Sequence, residues 1–168
     1  LTQMDTTLKV VADYIRVNEH LVIPIPDGLP PSHVAAPLLC AGITAYSPLL
    51  RNCYGPGKKI GVVGIGTIGH IGVLLSKAMG AEVYTFSRYN TKKEDVLGLG
   101  ADYFIATIED EHWESKFADT LDLVLVCSSS LTDVPIDKFA TIMTVDGKII
   151  SVAVPGRGEK LELNPFGL

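Results

Sequence analysis

What this sequence has little of narrows its class first. It holds three cysteines, Cys40, Cys53 and Cys127, among 168 residues. They are too few and too scattered for a disulfide framework or a self-contained zinc site, and they fit a reducing, cytoplasmic compartment. Basic residues are also short: Lys and Arg number 14 against 19 Asp and Glu, for a net charge of −5. With no basic excess to neutralise phosphates, no nucleic-acid partner is expected. Charged residues make up only 20% and hydrophobic residues 47%, the opposite of a disordered chain. No uncharged run reads as a membrane span, so no membrane partner is expected either. The longest, from Ile60 to Ser76, is interrupted by Gly61, Gly64, Gly66, Gly69 and Gly72, and it turns from β-like to helical halfway, as a strand–turn–helix does. The start, Leu1-Thr2-Gln3-Met4-Asp5, has no basic region followed by an apolar core. It also lacks an initiating Met, which suggests a cut or processed piece. There is no internal repeat and no low-complexity segment.

What is present is glycine, 16 residues of it, in a chain of roughly one domain's length. A domain this size buries about 70% of the surface its unfolded chain exposes and needs no staples. From Lys58 onward, short apolar runs alternate with helical patterns. The runs predict strands over 60–64, 82–87, 103–105, 123–126 and 148–154. Between them, helices are predicted over 67–79, 92–99, 110–118 and 137–143. Strands separated by helices form βαβ units and a parallel sheet. Ile68, Ile71, Leu75 and Met79 share one face of the first helix, which Gly80 would stop. The unbroken apolar run Leu123-Val124-Leu125-Val126 suits a central strand covered on both faces.

The first part of the chain reads differently. Val22-Ile23-Pro24-Ile25-Pro26 alternates with prolines that suit edge strands and turns, and Asp27-Gly28-Leu29-Pro30-Pro31 is a turn signal. Ser32 is placed as the N-cap of a helix running over 36–50, interrupted by Gly42 and Pro48. The expected organisation is a β-rich stub over 1–30, an α/β unit with a Rossmann-type doubly wound parallel sheet over 31–155, and a tail over 156–168.

Gly64-Ile65-Gly66-Thr67-Ile68-Gly69 matches the dinucleotide fingerprint. The pattern alone is weak, but here it follows a strand and opens a helix within a βαβ unit. Each glycine has its own reason. Gly64 permits the tight turn, Gly66 lets a pyrophosphate approach the backbone, and Gly69 allows helix to pack closely on strand. The pyrophosphate would sit on the N–H groups and positive end of the helix, with Ile65, Thr67 and Ile68 beside it.

The end of the second strand decides which dinucleotide. An acidic residue there would bind the ribose 2′-OH. Ser87 stands there, 23 residues after Gly64 and near the expected spacing of about 20. Arg88, Tyr89, Asn90, Thr91, Lys92 and Lys93 follow. A hydroxyl with a guanidinium and an ammonium beside it suits a 2′-phosphate, which a carboxylate would repel. Thr91-Lys92-Lys93-Glu94 is read as a capping box, with Thr91 as N-cap. That puts two lysines against the helix dipole, an arrangement an anion would relieve. NADP(H) is therefore the expected cofactor.

Several segments together resemble the zinc-dependent medium-chain alcohol dehydrogenases, in their cinnamyl alcohol dehydrogenase branch, and within it the yeast NADPH-dependent enzymes. They are Ala36-Pro37-Leu38-Leu39-Cys40-Ala41-Gly42-Ile43-Thr44-Ala45-Tyr46-Ser47-Pro48-Leu49, the glycine loop continuing into His70-Ile71-Gly72, and Ser87-Arg88 with Lys92. The resemblance implies that Cys40 is the last protein ligand of a catalytic zinc and that Thr44 lies by the cofactor. It implies that Ser128, and the backbone around Val152 and Val154, line the dinucleotide and nicotinamide positions. Zinc would polarise an aldehyde carbonyl while NADPH delivers hydride, with aromatic or aliphatic aldehydes and their alcohols as substrates.

On its own, Cys40 lacks companions. His20, His33, His70 and His112 stand in no ligand-like spacing with it, and a catalytic zinc needs three protein ligands. Cys53 and Cys127 are read as structural, and His70 as packing or capping. By the resemblance, the other zinc ligands, the structural-zinc lobe and the proton relay lie outside this chain. Residues 1–30 would be the tail of a GroES-like catalytic domain and 156–168 a return segment. The full enzyme would be a homodimer, and the chain alone inactive. A zinc-free quinone or enoyl reductase, or a non-catalytic NADPH-binding module, would use the same glycine loop. A methyltransferase would leave Arg88 and Lys92 without a reason.

Overall fold

The structure, a computed structural model, describes residues 14–29, 32–52, 55–130, 134–153, 156 and 158. A short helix α1 (Ser32–Ala35) passes through a 3-10 turn (Ala36–Leu39) into α2 (Ala41–Arg51). There follow β1 (Lys59–Val63), α3 (Thr67–Ala78), β2 (Glu82–Ser87), α4 (Lys93–Gly98), β3 (Tyr103–Ala106), β4 (Leu121–Val126), α5 (Ile136–Thr141) and β5 (Met143–Ser151). The five strands form one sheet in the order β3-β2-β1-β4-β5, and every neighbouring pair is parallel. The chain winds outward from β1 in one direction and then from β4 in the other. Its switch point lies between those two strands, where doubly wound folds open a crevice at the strands' carboxyl ends.

Alternation along the strands divides the core between the two faces. Ile60, Val62, Val83 and Leu123 pack with Leu49, Val73 and Val96. Val63, Phe86, Val124 and Val126 pack on the other face with Trp113, Ile136 and Phe139. Leu123 to Val126 are all buried, as a central strand covered on both faces requires.

Several expectations need correction here. The face that α3 turns inward is Gly69, Gly72, Val73 and Ser76, while Ile68, Ile71, Leu75 and Met79 flank it half-buried. Small residues let the helix approach the sheet more closely than a row of isoleucines would. Helix 110–118 is instead a loop with one 3-10 turn, Trp113–Lys116. Its apolar content is too thin for an amphipathic stripe, and the loop is anchored by Trp113, buried against Phe86 and Phe139. Of the expected β-rich stub over 1–30, only residues 14–29 are described, and these hold a 3-10 turn at Glu19–Leu21 and no strand. Tyr14 and Ile23 there are 94% and 82% exposed.

The helix expected over 36–50 breaks at Cys40 and then runs unbroken through Gly42 and Pro48. Ala41, Ala45 and Leu49 lie one turn apart and are all buried, and that stripe holds the helix across the proline. Ser32 is already inside α1, one position past the cap expected of it. Leu29 N–H closes the expected turn on the Pro26 carbonyl at 3.0 Å. The boundary prolines Pro30 and Pro31, and the tail over 156–168 apart from Gly156 and Gly158, lie outside the described residues.

Candidate functional site

The carboxyl ends of the strands open into a cavity of about 680 Å³ at the switch point. It brings together Gly64, Ile65, Gly66, Thr67 and Ile68 with Ser87, Arg88, Lys92, Ser128 and Val152. These come from the exits of four different strands.

The glycine turn is shaped by contact. Gly64 has φ of +85°, a left-handed conformation open to glycine. A Cβ there would also stand 2.9 Å from the Ser128 backbone. Gly69 is not in the cavity wall but beneath it, where a Cβ would come within 2.1 Å of the Gly64 carbonyl oxygen. Gly66 differs: a Cβ there would project into space with nothing within 4 Å. It caps α3 with no side-chain bond, so the positive end of the helix meets open room at the cavity. That cradle beside helix N–H groups fits a pyrophosphate.

The turn after β2 is held by the exit of β3. Ser87 O accepts Thr107 N–H at 2.8 Å, and Arg88 O accepts Ile108 N–H at 3.2 Å. Glu109 Oε1 then accepts Asn90 N–H at 3.0 Å, and Glu109 Oε2 accepts the Asn90 side-chain amide. Lys92 Nζ donates to Ile65 O at 2.6 Å, tying this turn to the glycine turn. The expected capping box is absent. Asn90–Lys92 forms a 3-10 turn, Lys92 stands at the cap of α4, and no side chain caps either element. Glu109 takes the Asn90 N–H and so starts the turn before Thr91. Lys92 therefore lies outside the first turn of α4, while Lys93 opens it beside Glu94 and Asp95.

Other expected residues lie elsewhere. Thr44 is half-buried in α2, outside the cavity wall, and its N–H bonds Cys40 O at 3.0 Å. Cys40 is exposed. Among the described residues no three His, Cys, Asp or Glu side chains are grouped to hold a metal, so these residues do not by themselves make a zinc site. Cys127 sits in the cavity wall, and burial pushes its thiol up to about 12, which keeps it protonated. Cys53 and Val154 lie outside the described residues. His70 is exposed, neither packed in the core nor capping, on a groove beside α3 and α4. Its place in the first turn of α3 directs it away from the buried face.

The cavity also recruits residues that sequence reasoning missed. Thr107 lies at the exit of β3, and Ser129 and Ser130 lie at the exit of β4. A doubly wound order makes every strand exit a candidate, a signal available once the sheet is drawn. Phe86 and Phe139 form an aromatic floor, their rings 5.0 Å apart and edge to face.

A parallel sheet with a glycine turn at its switch point defines a Rossmann-type α/β domain. A family model described as "Zinc-binding dehydrogenase" matches residues 67–168, more than half of the chain, and the chain belongs to that family. It is 54% identical over 157 residues to NADP-dependent alcohol dehydrogenase 6 of Saccharomyces cerevisiae, a match covering 94% of this chain and 43% of that protein. Among solved structures, it is similar to a cinnamyl alcohol dehydrogenase of Sorghum bicolor. The TM-score is 0.78 at 35% identity, over 86% of this chain and 40% of the other. A Helicobacter pylori enzyme described as CAD complexed with NADP(H) gives a TM-score of 0.74 at 32% identity, over 87% and 40% of the two chains. The chain thus spans less than half the length of these relatives. Among the described residues, no helix is long and apolar enough to cross a membrane.

Proposed function

We propose that this chain is the coenzyme-binding part of an NADP(H)-dependent zinc alcohol dehydrogenase that reduces aromatic or aliphatic aldehydes to primary alcohols. The observation that carries the reading is the basic turn: Ser87, Arg88 and Lys92 line the same cavity as the glycine cradle, and β2 itself ends on Ser87 where an acidic residue would select the 2′-OH. Gly64, Ile65, Gly66, Thr67 and Ile68 would hold the pyrophosphate through backbone N–H groups and the α3 terminus. Gly69 makes that turn possible from below. The Ser87 hydroxyl, Arg88 guanidinium and Lys92 ammonium would hold the 2′-phosphate, where a planar fork and a point charge complement its oxygens. Ser128 and Val152, at the exits of β4 and β5, would flank the nicotinamide half, with Thr44 approaching from α2. When bound, NADPH supplies a hydride to a carbonyl carbon.

Cys40 is this chain's candidate contribution to a zinc site whose other ligands come from outside it. The names of the matched relatives support the reading, as does the NADP(H) with which the Helicobacter enzyme is complexed. A cytoplasmic homodimer is the form proposed for the parent enzyme.

The test is direct, because Trp113 is the sole tryptophan and packs against Phe86 and Phe139 at the cavity floor. Quenching of its fluorescence on titration should show NADPH binding at least about ten-fold tighter than NADH, the size of one charge-assisted hydrogen bond. Equal or tighter NADH binding would overturn the reading.

A further inference from the structure

We propose that Glu109, which lies outside the cavity wall, is a positioning residue that sets the preference for a phosphorylated dinucleotide by pinning the turn that carries Arg88 and Lys92. The inference rests on the NADP(H) reading above and extends it to a residue outside the cavity wall. The β2–β3 ladder pairs Ser87 with Ala106 at its end. Beyond that pair, the two chains stay in register for two more backbone bonds, Thr107 N–H to Ser87 O and Ile108 N–H to Arg88 O. The β2 exit then curls into its 3-10 turn and backbone pairing ends. Glu109 continues the clamp with its side chain, and both carboxylate oxygens go to Asn90, one to its N–H and one to its side-chain amide.

Asn90 lies midway between Arg88 and Lys92, so a grip on its backbone fixes where both cations leave the chain. Lys92 adds the second anchor, on Ile65 O. The turn is thus braced against β3 on one side and against the glycine turn on the other. All of this lies on the surface. Arg88, Asn90, Lys92 and Glu109 are exposed, and neither apolar cluster includes any of them. Loss of Glu109 therefore loosens a loop and leaves the core intact.

The direction of the effect separates positioning from simple charge. A carboxylate close to a 2′-phosphate repels it, so if Glu109 acted only as a nearby charge, removing it would tighten NADPH binding. If it acts as a clamp, removing it weakens NADPH binding even though a negative charge has gone. Glu109→Gln discriminates further. It removes the charge, but its amide oxygen can still accept the Asn90 N–H and its NH2 can pair with a flipped Asn90 side chain.

The experiment titrates the full chain with NADPH and with NADH, reading Trp113 quenching, for the unmodified chain and for Glu109→Ala, Glu109→Gln, Asn90→Ala and the Glu109→Ala/Asn90→Ala double variant. Glu109→Ala, which removes both bonds, should cut the NADPH-over-NADH preference about five-fold, and Asn90→Ala, which keeps the backbone N–H on Glu109 Oε1, should cut it about two-fold, in each case through NADPH affinity alone. The double variant should lose no more than Glu109→Ala alone, because that substitution already removes both bonds of the clamp. Glu109→Gln should keep most of the preference, and the melting temperature without cofactor should stay close to that of the unmodified chain. A preference unchanged or raised in Glu109→Ala overturns the inference, and so does an equal fall for both cofactors. If the unmodified chain shows no preference for NADPH, the cofactor reading itself falls and the inference falls with it. A normal preference that survives both alanine variants sinks the inference alone.

Discussion

The glycine turn over 64–69 and the basic turn over 87–92 face one cavity, yet the first is held by steric contact and the second by hydrogen bonds. In the glycine turn, Gly69 and Gly64 sit where a Cβ would meet backbone at 2.1 Å and 2.9 Å. The shape is therefore inseparable from the packing of α3 on the sheet. In the basic turn, exposed side chains and backbone groups are braced from the β3 exit and by Lys92. On the proposed reading, the first would decide whether a dinucleotide has a seat at all, and its Gly64 and Gly69 cannot vary without disturbing the core. The second would decide which dinucleotide fits, and it can vary at little cost to folding. Recognition of the shared group would then be built into the fold, and discrimination laid on its surface.

The largest expected effect breaks the glycine side of that comparison. Gly69→Ala should destabilise the chain by about 3 kcal/mol, because neither the Gly64 carbonyl nor the helix can yield easily. A drop in urea midpoint with unchanged slope would report it. Gly66→Ala is the informative partner. Its φ is −100° and its Cβ position is open, so the urea midpoint should stay put. Binding of NADPH and NADH should fall together by more than about ten-fold, since the methyl group occupies the pyrophosphate's approach. Normal cofactor binding by Gly66→Ala would show that this cradle is not the seat.

Smaller and more selective effects belong to the basic turn. Arg88→Ala should weaken NADPH binding about ten-fold or more, as loss of a charged hydrogen bond does, and leave NADH binding unchanged. Stability should move by no more than about 0.5 kcal/mol, as for other surface changes. Lys92→Met should behave differently, because Lys92 also holds Ile65 O in the glycine turn. NADPH affinity should fall most, and NADH affinity should fall about two-fold through the loosened turn. Titrations with both cofactors measure the two ratios. An NADH affinity unchanged in Lys92→Met would show that the bond to Ile65 contributes nothing to the cradle.

The same contrast explains how far the site could be read before the fold was known. The glycine turn is local: strand, turn and helix are contiguous, and the spacing of Gly64, Gly66 and Gly69 carries its own steric logic. The identity of Ser87, Arg88 and Lys92 was equally legible, because strand β2 delivers them at a predictable distance. Their bracing was not. Glu109 lies 19 residues from Asn90 in a polar stretch with no periodicity, so nothing marks the pair until β3 is placed beside β2. The misplaced capping box follows directly, since a tertiary acceptor overrode a local motif. The inward face of α3 was misread for a related reason: a count of large apolar residues favours Ile68 and Ile71, whereas close packing favours the glycines. Val22 to Pro26 alternate like a strand, but alternation is only half of a strand, and among the described residues no partner strand lies beside them.

The smallest expected effect lies at the opposite edge of the sheet, where the charges already have partners. Asp122 accepts Lys59 N–H at 2.9 Å and Lys58 Nζ at 2.7 Å. Asp102 accepts Val83 N–H at 2.7 Å and Lys77 Nζ at 2.9 Å. Each carboxylate thus joins a strand's amino end to a lysine. Burial works to raise the Asp102 carboxyl, but the Val83 N–H and the Lys77 ammonium outweigh it and hold the group below its ordinary range. A depressed carboxyl binds fewer protons when folded than when unfolded. Its contribution is therefore complete above the unfolded value of about 3.9 and disappears as pH falls through the lower folded value. Asp102→Asn should cost about 1 kcal/mol or less at pH 7, since a side chain 35% exposed is screened by solvent. As pH falls from about 4 through the lower folded value the variant and the unmodified chain should converge, because protonation removes what the substitution has already removed. NADPH affinity at pH 7 should be unaffected, because these ion pairs lie at the strands' amino ends and the cavity at their carboxyl ends. Urea midpoints taken across pH 2–7, with NADPH titrations at pH 7, check both halves of the comparison. A stability gap that persists in acid would mean that Asp102 acts through geometry alone.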